Sequence, residues 1–111
     1  MRTGMAVLVL FLAAILEAGG DALIRGGLHS PSGSMRKAGL FAAGTLVLFG
    51  YGYVVNAPNW DFGRLLGIYV VFFFVVAQVI GWAVFHQAPA PAVLYGGALI
   101  VAGGVVISVF Q

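Results

Sequence analysis

The sequence has 111 residues, of which 62% are hydrophobic and only 7% are charged, and it contains no cysteine. Soluble globular domains carry about one quarter charged residues, so this composition indicates a single helical domain that crosses a membrane several times. The net charge of +2 comes from only five basic residues, too few for the basic stripe of a nucleic-acid-binding protein. Without cysteine, neither a disulfide framework nor a thiolate metal site can form. We expect no metal, no cofactor and no nucleic-acid partner.

Four long apolar segments follow one another along the chain, separated by short polar stretches. They lack the alternation of polar and apolar residues that barrel strands show, so helices are predicted. We therefore predict an all-α membrane protein with one domain, residues 1–111. Its four transmembrane helices are expected at about residues 5–24, 38–55, 63–85 and 92–110. Four helices of this size do not readily enclose a solute pathway alone, which favours an oligomer.

The basic residues are divided almost evenly between the two sides of this predicted topology. Arg2 and Arg64 lie on one side, and Arg25, Arg36 and Lys37 lie on the other. The positive-inside rule then gives little preference for either orientation. We expect the chain to insert both ways and to form an antiparallel, dual-topology homodimer. The alternative is that insertion factors or loop context fix one orientation.

Glu17 places a carboxyl group inside the first apolar segment. An ionisable side chain within a membrane costs at least about 2.5 kcal/mol and usually faces a cavity or a partner. Ala13, Glu17, Asp21 and Arg25 follow one another at four-residue spacing, so they share one face of a helix. We interpret Glu17 as a binding site for protons and cations. The alternative is a carboxyl group that only hydrogen-bonds between helices and adds packing specificity.

Four further side chains are candidates for the same site. Asp21 lies one turn beyond Glu17, where it either tunes the titration of Glu17 or forms an ordinary ion pair with Arg25. Tyr69 in the third segment has a hydroxyl group that needs a partner and a ring that attracts cations. Tyr51 and Tyr53 in the second segment offer the same groups. For all three tyrosines, simple packing is the alternative.

The fourth segment has no ionisable residue but carries two glycine pairs at heptad spacing. Small residues let helices approach closely, which drives helix association in lipid. We predict that the fourth helices pack across a homodimer interface formed by Gly96, Gly97, Leu99, Ile100, Gly103 and Gly104.

The size, the four helices, Leu16-Glu17-Ala18-Gly19-Gly20 and the glycine-rich stretch at 96–104 together resemble the small multidrug resistance (SMR) superfamily of transporters. The resemblance covers nearly the whole chain. It implies an antiparallel homodimer in the inner (plasma) membrane that exchanges protons for cationic substrates at paired glutamates. On this resemblance, Glu17 is the shared site of proton and substrate.

The third segment departs from the family pattern. Tyr69 stands where the family usually has a tryptophan, and Leu66 stands where it has a tyrosine that helps to organise the glutamates. Asp21 is an additional acid. The specificity of the family for drugs or guanidinium therefore does not carry over to this chain.

Two functions are compatible with these features. The first is a proton-coupled exporter, or antiporter, of small cationic or amphipathic compounds. The second is a non-transporting membrane component, or one half of a hetero-oligomeric transporter or lipid-carrier flippase. We do not expect an enzyme, because the sequence shows no nucleophile–base pair, metal cluster or nucleotide-binding loop.

Overall fold

A computed structural model describes residues 3–31 and 33–110 of the chain. It contains four helices, α1 (Thr3–Leu28), α2 (Ser34–Val55), α3 (Phe62–Phe85) and α4 (Pro91–Val109), and no strand within the described residues. Each helix is long and apolar enough to cross a membrane. The predicted fold class, an all-α protein with four transmembrane helices, is confirmed. Arg2, which entered the comparison of basic residues, lies outside the described residues.

The first loop is shorter than the sequence pattern indicates. Helix α1 continues to Leu28, and α2 begins at Ser34. The helical backbone hydrogen bonds thus extend into the polar residues that flank each apolar segment. The backbone N–H of His29 still donates to the carbonyl of Arg25 at 3.1 Å. Pro31 then disfavours a helical conformation at the residue before it. As a result Glu17 lies only about 2 Å from the midpoint of α1 along the helix axis.

Helix α1 occupies a central position in the fold. It packs against both α2 and α3, whereas α4 packs mainly against α3. The helices therefore follow the order α2, α1, α3, α4 across a molecule that is 19 Å thick in its thinnest direction, about two helix diameters. The buried core consists mainly of residues from α1 and α3: Leu10, Ala13, Ala14, Ala18, Val55, Leu65, Tyr69 and Val76.

Glycines allow α1 and α2 to approach closely. The side chain of Leu48 occupies the space that a side chain at Gly20 would need, and Ile24 does the same at Gly44. A large residue of each helix thus fits over a small residue of the other, which is the packing that associates helices in lipid. This contact fixes α2 beside the half of α1 that carries the acidic residues.

Helices α3 and α4 use the same kind of contact, and it changes the expected role of two glycines. Phe74 occupies the space beside Gly97, and Val71 occupies the space beside Gly104. Gly97 and Gly104, which were predicted to form a homodimer interface, therefore pack against α3 of their own chain. Heptad spacing identifies a packing face correctly but does not indicate which helix covers it.

The other members of the predicted interface leave a part of α4 uncovered. A Cβ atom added at Gly96 or Gly103 would meet nothing within 4 Å. Leu99 is 76% exposed, and Ile100 is partly buried. Gly96, Leu99 and Gly103 thus form an open strip along α4, which we call the α4 open face.

We expect Gly44→Ala to lower the free energy of unfolding by about 1–3 kcal/mol, the usual cost of overpacking. A Cβ atom at residue 44 would lie 2.7 Å from Cδ1 of Ile24 and 3.2 Å from the backbone carbonyl oxygen of Gly20. Thermal unfolding in detergent, followed by circular dichroism, measures the effect. Gly39→Ala in the same helix is the matched control, because its Cβ would meet nothing within 4 Å. Equal melting temperatures for the two variants would contradict this packing.

Candidate functional site

Glu17 and Tyr69 are joined by a hydrogen bond between α1 and α3. The hydroxyl group of Tyr69 donates to Oε1 of Glu17 at 2.7 Å. Tyr69 is only 3% exposed, and Glu17 is partly buried. The structure thus brings together two side chains that are 52 positions apart in the sequence, near the midpoint of α1. The hydroxyl group thus supplies a hydrogen-bond partner for one carboxyl oxygen within an apolar helix.

Small residues of α1 make this contact possible. Ala13, Ala14 and Ala18 surround Glu17 on the helix and are all buried. Ala18 also lines the cleft between α1 and α3, and short side chains such as these let helices approach closely. The Tyr69 ring then reaches across to Glu17 without displacing a larger side chain. The same positions filled by leucine would hold the two helices further apart.

A third helix, α2, contributes an aromatic ring to the site. The ring centroids of Tyr51, in α2, and Tyr69 are 5.7 Å apart, and those of Tyr69 and Phe73 are 6.3 Å apart. Three helices therefore meet around Glu17. Tyr53 is not part of this cluster: it is 78% exposed, since two residues along a helix turn the side chain by about 200°. Of the two tyrosines considered in α2, the structure brings only Tyr51 to the site.

Tyr69, and not the residue at position 66, donates the hydrogen bond to Glu17. Leu66 is a partly buried apolar residue that packs against the core, so it offers no donor to the carboxyl group. Tyr69, one turn further along α3, supplies that donor instead.

Asp21 lies beside the cluster and does not enter it. It is exposed at a cleft of about 250 Å³ between the second halves of α1 and α3, which Arg25 also lines. The ion pair considered for these two residues is not formed in the described part of the chain. The guanidinium group of Arg25 instead lies over the ring of Phe85, 5.4 Å from its centroid. No feature of the sequence singled out Phe85 or the cleft.

The chemistry available at this site is that of two carboxyl groups and several aromatic rings. Residues 3–31 and 33–110 contain no group of three or more histidine, cysteine or acidic side chains that could hold a metal ion. A carboxyl group within an apolar helix can bind a proton or a cation, and tyrosine and phenylalanine rings attract cations. The arrangement is therefore suited to protons and organic cations.

At the opposite end of α3, Arg64 packs with its guanidinium group 5.0 Å from the centroid of the Trp60 ring. This contact is typical of an arginine whose stem lies along apolar surface while its head reaches the membrane interface. Arg64 belongs to a separate groove with Asp61 and Phe110.

We expect Tyr69→Phe to shift the infrared C=O stretching band of the Glu17 carboxyl group to higher frequency, because that group loses the hydrogen bond donated by the Tyr69 hydroxyl. The band is assigned by its disappearance in Glu17→Gln. Tyr51→Phe is the matched control, since it removes the same hydroxyl group from the neighbouring ring of the cluster. A band that is unchanged in Tyr69→Phe, or that shifts equally in both variants, would contradict the hydrogen bond.

Two relatives with curated names align with almost the whole chain. A UPF0060 membrane protein of Herpetosiphon aurantiacus is 28% identical over 109 residues, which are 96% of each chain. A UPF0060 membrane protein of Clostridium beijerinckii is 32% identical over 101 residues, 91% of this chain and 89% of that protein. No family model and no solved structure matches the chain. The extent and identity of these alignments, together with four spanning helices, show that the chain belongs to the UPF0060 family of multi-pass membrane proteins.

Proposed function

We propose that this protein is a proton-coupled exporter of small cationic or amphipathic compounds, and that Glu17 is the site shared by proton and substrate. The observation that carries the proposal is the hydrogen bond from Tyr69 to Glu17 near the middle of a membrane-spanning helix. Intramembrane carboxyl groups are costly and typically mark ion and proton pathways. The resemblance to the SMR superfamily supports the same function and an inner-membrane location.

The geometry of the hydrogen bond supports exchange at one carboxyl group. Tyr69 donates to Oε1 of Glu17, which leaves Oε2 to hold either a proton or the charge of a cation. An apolar surrounding favours the neutral carboxyl group when no cation is present. A bound cation favours the ionised form and expels the proton. This competition couples the two fluxes if the site opens alternately to each side of the membrane.

Proteoliposomes that report internal pH test the proposal with tetraethylammonium, benzyltrimethylammonium and tetraphenylphosphonium as cationic probes. We expect an outward cation gradient to drive proton movement in the wild type and not in Glu17→Gln. Glu17→Asp keeps a carboxyl group and should retain coupling at a changed pH optimum.

Asp61→Asn is the control, because it removes an acid from the second loop, away from Glu17. Coupled proton movement that persists in Glu17→Gln would contradict the proposal. A wild type that moves no protons with any probe would favour the non-transporting component.

We further propose that the protein works as an antiparallel homodimer that packs through the α4 open face. The support is that Gly96, Leu99 and Gly103 are uncovered, whereas the neighbouring Gly97 and Gly104 are covered by α3 of the same chain. Helix association in lipid depends on close packing at small residues, and this strip offers two of them. The near-equal division of basic residues remains the basis for expecting both orientations.

We expect Gly103→Leu to shift the monomer–dimer equilibrium towards the monomer by at least about tenfold, because a leucine would block close backbone approach. A Cβ atom at residue 103 would meet nothing within 4 Å in its own chain, so the fold should survive. Single-molecule photobleaching in liposomes measures the equilibrium. Ala98→Leu is the control, since Ala98 is exposed on another part of the same helix. Equal dimerisation of both variants would remove the α4 open face from the interface.

A further inference from the structure

The cleft between α1 and α3 does not include Glu17 or Tyr69, but its lining residue Phe73 lies next to Tyr69, with ring centroids 6.3 Å apart. Asp21 and Arg25 line it from α1, one and two turns beyond Glu17. Phe73 and Phe85 line it from α3, and Gln87 lines it from the segment after α3. Its volume of about 250 Å³ is slightly below the range of about 300–1,000 Å³ typical of drug-sized ligands. The cleft therefore suits a compact ligand.

The segment after α3 is folded back so that Gln87 reaches this cleft. His86 adopts a left-handed conformation with φ of 56°. The backbone N–H of Gln87 then donates to the carbonyl of Gly81 at 2.9 Å, which holds the chain after His86 against the last turn of α3. The cleft thus extends to the end of α3 on the side of the first and third loops.

Asp21 is available to a ligand in this cleft. It forms no hydrogen bond or ion pair within the described part of the chain, although Arg25 lies at the i+4 position where a pair is common. The guanidinium group of Arg25 instead covers the face of Phe85. The cleft therefore presents an unpaired carboxylate together with a ring face that already holds a cation of the protein itself.

We propose that this cleft is an outer subsite for a compact organic cation, with the positive group at Asp21 and the apolar part against Phe73 and Phe85. This inference rests on the proposed export function and names its substrate class: a monovalent cation that carries one small apolar or aromatic group. The apolar part of the ligand takes the place of Arg25 on the Phe85 ring, because the guanidinium group covers the same ring face. Arg25 is thus an internal competitor for the substrate.

The charges of the filled site balance. The substrate and Arg25 carry two positive charges, and Asp21 and an ionised Glu17 carry two negative charges. Asp21 lies one helical turn from Glu17, about 6 Å along the axis. A cation held at Asp21 is therefore one step from the carboxyl group proposed to exchange it for a proton.

Binding of benzyltrimethylammonium to the purified full chain in detergent, measured by calorimetry, tests the subsite. This probe has a permanent charge and an aromatic ring. Asp21→Asn should weaken binding at least about fivefold. Phe85→Leu should weaken it about threefold, and Arg25→Gln should strengthen it about threefold, because the competitor is removed. Neopentylbenzene, the uncharged analogue of the probe, should bind equally to the wild type and Asp21→Asn.

Asp61→Asn, which removes an acid outside the cleft, is the matched control and should bind the probe as the wild type does. Opposite effects of Phe85→Leu and Arg25→Gln would support the subsite even if Asp21→Asn failed to fold, since a structural defect would weaken binding in both. Affinity within twofold of the wild type in Asp21→Asn would overturn the subsite, as would a wild type that does not bind the probe. If the Glu17→Gln variant still released protons when the probe was added, that result would overturn the export mechanism and not the subsite.

Discussion

A carboxyl group in the middle of a membrane-spanning helix must find a partner inside the protein, because lipid offers none. In this chain the partner is the hydroxyl group of Tyr69, which donates to Glu17 at 2.7 Å. Small buried alanines surround Glu17 on α1, and glycines let α1 and α2 meet closely. The packing of three of the four helices is thus arranged around one hydrogen bond.

The two acidic residues of α1 have different surroundings, and this difference suggests a division of roles. Glu17 is partly buried and bonded to Tyr69, whereas Asp21 is exposed at a cleft and unpaired in the described structure. A transport site must also release its ligand, so two successive sites of moderate affinity serve it better than one site of very high affinity. In the proposed exporter, Asp21 beside the aromatic rings is the outer step, and Glu17, the proposed proton site, is the inner one. Because Arg25 packs on the Phe85 ring, it does not form an ion pair with Asp21 among the described residues and so leaves the charge of this carboxylate open to a ligand.

Much of this architecture could be predicted from the sequence, and the failures have physical causes. Hydrophobic segment lengths identify four spans, and the cost of a buried charge singles out Glu17. The sequence narrowed the partner of Glu17 only to three tyrosines, because the packing of the helices decides which face of each helix points to Glu17. The structure brings Tyr69 and Tyr51 to the site and not Tyr53. Gly97 and Gly104 pack within the chain for the same reason. The end of α1 at Leu28 was missed because hydropathy marks the apolar part of a helix and not its hydrogen bonds.

The dependence of cation affinity on pH tests the central claim most directly, namely that a proton and a cation compete for Glu17. Calorimetric titration with benzyltrimethylammonium, whose charge does not change with pH, isolates the protons bound by the protein. The account predicts that the dissociation constant rises as the pH is lowered, approaching about tenfold per pH unit where one proton is displaced for each cation bound. The dependence should be strongly reduced in Glu17→Gln. A dissociation constant that is independent of pH in the wild type would contradict the account.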